Sequence, residues 1–583
     1  MVLPQVYPHP HTFFSPGHSA RAAFDACGAN HIVLVAWMLL FMMVSGGTAR
    51  AQGADDVGFV WEPPAGIGAA RQQLSAIRQA GANAIRMESI PSPDVVTLAD
   101  RLGLSLYIDL PVERMPASHL IKAQDYAEAL LDSVLALARQ HPSIRHVGLA
   151  RHSDTSDSTA CAYFDALVAR ARPNAPAGMQ FYYTSRFIDA DTCAASVDFV
   201  LLDLLGHPDP VRSLRRWRAS GRTTPAGIAS LGTWVRRDDR DGLLVPHSAA
   251  AQGRYLEASL PVLISDTLSM PLPAVFIYHW QDRERSLPVV HQDLEKPFVE
   301  RFGLHTLAGE PRQAYRVVEG ILTGRQDVFA FEEGRVRSGD APWTTLLGWG
   351  VVLMIGIFYA SSPRFRHMIP RYFQAHFFFR ESVREGRDVL FGSSTVLLTA
   401  LGIVTGLMLS VSLSILQREY VFSLLFGWIP ESTQTAAAAI MASPLVFALL
   451  VGCGYIILLM VWTILLALIT TLAFPMTPAQ VLMLVVWSRW PMLLLLPVSM
   501  VLGVTPGAGV GAVALLLGAW LLAELYATGR TLYDLVSVSR TRAHFAVLGF
   551  VLHPVTVMGA ALLVLAIANE PEVSFAWHVL TRS

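Results

Sequence analysis

From Trp343 onward the chain is dominated by apolar stretches too long for the core of an ordinary soluble domain. Six of them, Trp343 to Ala360, Phe391 to Leu413, Leu445 to Thr471, Val481 to Leu502, Val510 to Tyr526 and Phe545 to Ile567, are each near or above the helix length that crosses a hydrocarbon layer of about 30 Å. Backbone polar groups in hydrocarbon must be satisfied within their own segment, so these stretches predict spanning helices. Residues 52–340 read differently, with charges, prolines and short apolar runs mixed as in a water-soluble domain. The 53% hydrophobic and 15% charged residues average these two halves, and they exclude disorder and an ordinary cytosolic enzyme. A net charge of -1 provides no broad basic surface for a phosphate backbone, which argues against nucleic acid as a partner.

The loops set an orientation. The first loop carries Arg364, Arg366, Arg371, Arg380, Arg384 and Arg387, and Arg530, Arg540 and Arg542 precede the last span, whereas Gly503 to Gly509 is uncharged. Short cytoplasmic loops carry the excess of arginine, so these basic loops are predicted inside and residues 52–340 outside. The expected location is the inner membrane of a bacterium, with the first domain on its periplasmic or extracellular side. Ile32 to Val44 followed by Ala49-Arg50-Ala51 predicts a signal peptide cleaved before Gln52, with an uncleaved anchor as the alternative. The expected organisation is therefore a leader (1–51), a soluble domain (52–340), a first span (341–361), a basic cytoplasmic loop (362–390), five further spans (391–569) and an outer tail (570–583). Arg371 to Arg387, interleaved with Tyr372, Phe373, Phe377, Phe378 and Phe379, reads either as one amphipathic helix on the inner leaflet or as an ordinary basic loop. Arg489 and Glu524 fall inside spans, where an arginine costs about 2.5 to 3.5 kcal/mol; a structural ion pair is expected, with a plain interfacial arginine beside Trp487 and Trp490 or a transport site as the alternatives.

In the soluble half, β-rich runs alternate with helical ones, the pattern of parallel strands linked by helical crossovers. Candidate strands are Gly58 to Trp61, Ala84 to Met87, Ser105 to Asp109, Arg145 to Ala150, Gln180 to Thr184, Phe199 to Asp203, Ala226 to Ser230 and Ala274 to His279. Ala69 to Gln79, Gln124 to Gln140 and Ser248 to Leu260 have helical periodicity. Eight strands over about 270 residues predict an α/β (β/α)8 TIM barrel, followed by an all-α polytopic bundle, with any site at the C-terminal ends of the strands. Those ends carry Glu62, Glu88, Asp109, Asp154, Asp203 and Asp282, with Arg86, Arg186, His152, Tyr183, His279 and Trp280 nearby. Carboxylates and arginines that bind hydroxyls, beside aromatic faces, suit a sugar; the plain alternative is solvated loop charge. Cys161 and Cys193, placed at opposite ends of neighbouring helices, are expected to be unpaired thiols; Cys27 lies in the leader and Cys453 in a span. His146 and His152 lack metal-ligand spacing and no glycine loop precedes a helix, so neither a metal nor another cofactor is expected.

Leu74 to Met87 (LSAIRQAGANAIRM) resembles the second-strand signature of the TIM-barrel domain of glycoside hydrolase family 2. Ala274 to Asp282 (AVFIYHWQD) resembles that family's last strand, and Phe302-Gly303-Leu304 with Glu310 to Tyr315 its exit segment; the resemblance spans Gly58 to Leu322. It implies glycoside hydrolysis by two glutamates, at the ends of strands four and seven, with carboxyls about 5 to 5.5 Å apart. Here the first position reads Arg151-His152 and the second Ser230-Leu231-Gly232. The resemblance thus implies a glycosidase-like barrel that binds or senses an envelope or extracellular glycan without cleaving it. Its expected ligand-binding residues are Glu62, Arg86, Glu88, Asp109, Tyr183, Asp203, His279, Trp280 and Asp282. Two alternatives stand: an active hydrolase with Asp154 as acid and Asp203 or Asp109 in the other role, and a structural protein docking a partner in a polysaccharide export or assembly system. Thr477 to Pro491 and Leu532 to Leu548 resemble segments of the Yip-type membrane domain, which implies a multi-span scaffold.

Overall fold

A computed structural model describes residues 54–582 except 237–241, 266–271, 286–287, 335–342, 472–475, 506–508 and 537–541. The leader with Cys27, the turn at Pro506 and Gly507, and Arg540 lie outside the described residues.

Eight parallel strands close into a barrel in sequence order: β1 Ala54–Val60, β2 Ala84–Met87, β3 Ser105–Asp109, β4 Ile144–Gly148, β5 Gln180–Ser185, β6 Phe199–Asp203, β7 Ala226–Leu231 and β8 Leu272–Ile277. β8 closes on β1 with Gly58 opposite Phe276 and Phe59 opposite Ile277. The expected strands are all present, with their ends shifted by a few residues. Crossovers are α1 Ile67–Gln79, α2 Pro93–Leu102, α3 Ala117–Lys122 with α4 Gln124–Ala138, α5 Cys161–Ala171, α6 Pro210–Ala219 and α7 Ala249–Ile264, and α8 Gln313–Thr323 packs behind β8. In α4 the spacing of Ala127, Leu131, Val134, Leu135 and Ala138 turns one apolar stripe onto the sheet. A two-stranded ribbon, β9 Arg283–Glu284 with β10 Val299–Glu300, stands beyond β8.

The β5 to β6 connection corrects the cysteine expectation. It contains no α-helix, only a turn of 3-10 helix at Ala194–Ser196. Asp191 pins it down beside α5, accepting from the hydroxyls of Tyr183 and Thr155 and from the backbone N–H of Cys193. Cys193 thereby reaches the start of α5, and Cys161 and Cys193 form a disulfide with Cα atoms 4.8 Å apart. The two neighbouring helices presumed from the sequence are here one helix and a loop.

The C-terminal region is all helical: α9 Trp343–Ser361, α10 Pro363–Gln374, α11 His376–Arg384, α12 Phe391–Leu416, α13 Tyr420–Phe426, α14 Glu431–Ala442, α15 Pro444–Thr471, α16 Pro478–Trp487, α17 Leu495–Val504, α18 Val510–Leu535, α19 Arg542–Val551, α20 Pro554–Ala568 and α21 Glu570–Arg582. Four of these, α9, α12, α15 and α18, are long and apolar enough to cross a membrane, and the number rises to as many as six if each of two bent pairs is one span. Val481 to Leu502 and Phe545 to Ile567, expected as single spans, are these bent pairs, turning by 40° and 62°. Each break carries a proline, Pro491 and Pro554, which cannot donate the backbone hydrogen bond that continues a helix. The basic stretch from Arg371 to Arg387 is likewise not one helix, because α10 and α11 part at Ala375. The segment after Asn569, expected as a tail, is helix α21.

Contacts sort the ends of these helices into two sets. Gly503 at the end of α17 lies against Thr344 at the start of α9 and Val411 near the end of α12, and Ser410 Oγ donates to the carbonyl of Pro444 at the start of α15. α13, α14 and α21 belong to this end, and all three touch the barrel: His291 Nδ1 lies 2.7 Å from Ser423 Oγ, Val290 and Leu294 pack with Phe426 and Ala438, and His578 Nδ1 lies 2.9 Å from Asp154 Oδ2. At the opposite end, Gln480 donates to the carbonyls of Val383 and Arg384, and His376 Nε2 lies 2.9 Å from Asp534. The arginine-rich helices α10 and α11 and the barrel therefore contact opposite ends of the helical region.

Candidate functional site

The strand ends build in layers. In the lowest, Arg86 of β2 and Asp109 of β3 form a 2.7 Å ion pair with no exposed surface. The Tyr182 hydroxyl donates to Asp109 at 2.7 Å, and Arg86 donates to the carbonyl of Ala229 at 3.0 Å. Gly148 makes room for this layer, since a Cβ there would strike Asp109 Oδ1 and press on the Tyr182 ring. Arg86 and Asp109 thus form the floor beneath the cavity.

Above the floor, charges interlock. Arg151 bridges Glu88 at 2.8 Å and Glu113 at 2.7 Å; Arg283 bridges Glu88 at 2.5 Å and Glu300 at 2.8 Å; Arg285 approaches Glu113 and Glu300 at 3.3 Å each. Tyr278, just beyond β8, donates to Glu300 at 2.9 Å. Across the mouth, Asp203 Oδ2 lies 3.1 Å from His152 Nδ1 and 3.5 Å from Arg186. His152 takes a left-handed backbone (φ 49°), held by its N–H on Thr184 Oγ1. A cavity of about 430 Å³ lies over these groups, with Glu88, Glu113, His152, Asp203, Ser230 and Glu300 in its wall. The helical region adds Arg418, Glu419, Tyr420 and Val421 around the start of α13, and Val579 and Leu580 of α21, to this wall.

This arrangement fixes the protonation states. Burial alone would raise the Glu88 carboxyl, but Arg151, Arg283 and Arg285 outweigh it and hold Glu88 well below the usual carboxylate range. The same balance, burial against Arg151, Arg114 and Arg285, leaves Glu113 lowered. For Glu300, burial is overcome by Arg283 and Arg285, and the carboxyl falls to about 2. Asp203, buried but facing His152 and Arg186, is also lowered. Burial pushes His279 and His291 down to about 3, so both are neutral at physiological pH. Neighbouring cations thus favour the ionised form of Glu88, Glu113, Asp203 and Glu300.

Of the residues singled out in the sequence, the structure brings Glu88, His152, Arg186, Asp203 and Ser230 together in the cavity wall. Others serve nearby packing. Glu62 is exposed and, among the described residues, pairs with Arg283 at 3.2 Å. Tyr183 points the opposite way from Tyr182, as successive strand residues must, and stacks on Phe164 in the helix layer. His279 is buried and accepts the N–H of Gln281; Trp280 packs edge-on to Phe59; Asp282 is bound by Arg312 and the N–H of Gly303. Asp154 accepts from Ser156 and faces His578 of α21. Glu113, Arg285, Glu300, His291 and Tyr420 were not anticipated. The first four lie on segments beyond the strand ends, and Tyr420 follows an apolar helix far along the chain, where no local pattern marks it.

A second polar cluster lies inside the helical region, at the two bends. Arg489, fully buried, donates to Glu524 Oε1 at 2.7 and 3.0 Å and to the carbonyl of Val485 at 2.7 Å. Tyr455 donates to Glu524 Oε2 at 2.9 Å. His553 Nδ1 accepts the N–H of Val555, which places its ring proton on Nε2, 3.1 Å from Glu524 Oε1. The arginine thus satisfies a helix carbonyl beside the break and the glutamate together.

Comparison with models of protein families finds no match, and comparison with curated proteins finds no significant one. Solved structures similar to the chain include a GH2 β-galacturonidase from Eisenbergiella tayi bound to galacturonate, with 18% identity and a TM-score of 0.41 over 47% of this chain and 52% of that one. They also include the β-glucuronidases of Ruminococcus gnavus, at 15% and 0.39 over 44% and 47%, and Lactobacillus rhamnosus, at 16% and 0.39 over 46% and 49%. The chain spans about half the length of these proteins. The barrel assignment itself rests on the strand order and register given above.

Proposed function

We propose that this protein is a membrane-tethered barrel that binds a saccharide in its strand-end cavity without cleaving it, on the outer side of a bacterial cytoplasmic membrane. One observation carries the reading: Glu88, Glu113, Asp203 and Glu300 in the cavity wall each lie within 3.5 Å of an arginine. Glycosidic cleavage requires one carboxylic acid that still holds its proton. The arginines favour the unprotonated form of all four, and the positions after strands four and seven present His152 and Ser230. Carboxylates, guanidinium groups and the Tyr278 and Trp234 rings around 430 Å³ suit the hydroxyls and C–H faces of a sugar. Relocated catalysis fits poorly: Asp109 is buried in the floor against Arg86 and Asp154 faces α21, which leaves Asp203 as the one of the three fallback acids in the wall.

The outer placement draws on three features. The arginine-rich helices and the barrel contact opposite ends of the helical region, the six crossings are consistent with that division, and the Cys161–Cys193 disulfide suits an oxidising compartment. The test is a saccharide array probed with the full-length protein and with Asp203→Asn. Retention of defined saccharides by the wild type, weakened at least tenfold in the variant, is the expected result; absence of retention across the array, or release of a reducing sugar that depends on Asp203, refutes the reading.

A further inference from the structure

The cavity is a joint product of the barrel and the helical region. Helix α13 begins four residues after α12 ends, so it lies where a 26-residue apolar helix emerges at one end. From it Tyr420 enters the cavity, its ring 3.9 Å from the Arg186 guanidinium and 5.5 Å from that of Arg114. Its hydroxyl is buried and makes no hydrogen bond among the described residues. On the other side α21 lies across the mouth, with Phe575 and Val579 packed on Phe187. Beside this roof, Trp428 and Trp577 are 49% and 62% exposed, as aromatic residues are at the level of lipid head groups. The barrel mouth therefore faces the helical region.

We infer that the occupant is a saccharide carried on a membrane lipid. This rests on the saccharide reading of the same cavity and narrows it. The sugar sits among Glu88, Asp203 and Ser230 while its lipid stays in the bilayer beside α12 and α13. Tyr420 supplies ring surface for the sugar beside Arg186. A cleft meant for soluble polymers has no use for a roof made of the protein's own membrane region. A lipid-borne sugar gains from it, because confinement to the plane of the bilayer delivers the sugar at the depth of the mouth.

The test uses the full-length protein in nanodiscs. The probes are cellobiosyl, maltosyl, chitobiosyl and glucuronosyl diacylglycerols in the disc, each compared with the methyl glycoside of the same sugar in solution. For at least one sugar the lipid-borne form is expected to bind at least tenfold more tightly than the methyl glycoside. Tyr420→Ala should abolish that binding, and Tyr420→Phe should retain most of it through the ring, with thermal unfolding checking that each variant is folded. Methyl glycosides bound as tightly as their lipid-borne forms, or binding indifferent to Tyr420→Ala in a folded variant, would overturn the inference and leave the saccharide reading standing. Absence of binding by every probe in both forms would remove the saccharide reading beneath it.

Discussion

Replacing Arg283 by Met removes the bridge between Glu88 and Glu300, and the structure allows the cost to be worked out. Glu88 retains Arg151 at 2.8 Å, and Glu300 retains Arg285 at 3.3 Å and the Tyr278 hydroxyl at 2.9 Å. Breaking a buried pair costs about 3 to 5 kcal/mol, and the remaining partners point to the lower end, about 3 kcal/mol. The lost contact with exposed Glu62 adds little. At roughly 2 to 4 °C per kcal/mol for a domain of this size, Tm falls by about 6 to 12 °C at pH 7. The effect depends on pH with a definite sign. In the wild type Glu300 is lowered to about 2, so its contribution of about 3 kcal/mol is present above the ordinary carboxyl range and lost as pH falls toward 2. Without Arg283 the folded-state carboxyl is protonated at a higher pH, which relieves the uncompensated charge, so the gap between the proteins narrows from pH 7 to pH 4. Thermal unfolding of the solubilised full-length protein, followed by tryptophan fluorescence at both pH values, measures it. Adding Glu300→Gln to Arg283→Met should restore part of the loss. A Tm change below about 2 °C at pH 7, or a gap that stays constant down to pH 4, would falsify the charge network as described.

Three further outcomes follow from particular contacts. Cys161→Ser opens a disulfide loop with a sequence separation of 32, and loop-entropy arithmetic gives a loss of about 3 to 4 kcal/mol, readable as a lower Tm that dithiothreitol reproduces in the wild type but does not deepen in the variant. Gly148→Ala places a methyl group against Asp109 and Tyr182, so it should cost at least about 1 to 3 kcal/mol in thermal unfolding, with Gly66→Ala, where nothing lies nearby, as the neutral control. Arg489→Met strands Glu524 among apolar helices and should lower folded yield and Tm by about 3 to 5 kcal/mol in stability, whereas Arg489→Met combined with Glu524→Leu recovers most of it; a double variant no better than the single one contradicts the ion-pair account.

Much of the barrel was legible because its signals are local. Alternation of short β-rich runs with helical periodicity gave eight strands, and counting strand ends put Glu88, His152, Asp203 and Ser230 on one face. What was not legible depends on direction and distance. Tyr182 and Tyr183 are adjacent, and only the register of β5 decides which faces inward. The disulfide was hidden because a β5 to β6 connection without a helix departs from the repeating pattern. Two apolar runs are bent where Pro491 and Pro554 interrupt them, which a count of apolar length passes over. Tyr420 is separated from the barrel by two long apolar helices, α9 and α12, so only the tertiary structure reveals that it roofs the cavity.

The central claim is occupancy without cleavage, and the most direct measurement follows a bound saccharide over time. The full-length protein would be loaded with the tightest binder found on an array or in nanodiscs, held at pH 7 and analysed by mass spectrometry of what is released. Recovery of the intact saccharide in amounts matching the protein, with no shorter product after prolonged incubation, is the predicted result. Shorter products that accumulate beyond the amount of protein and vanish in Asp203→Asn would contradict it.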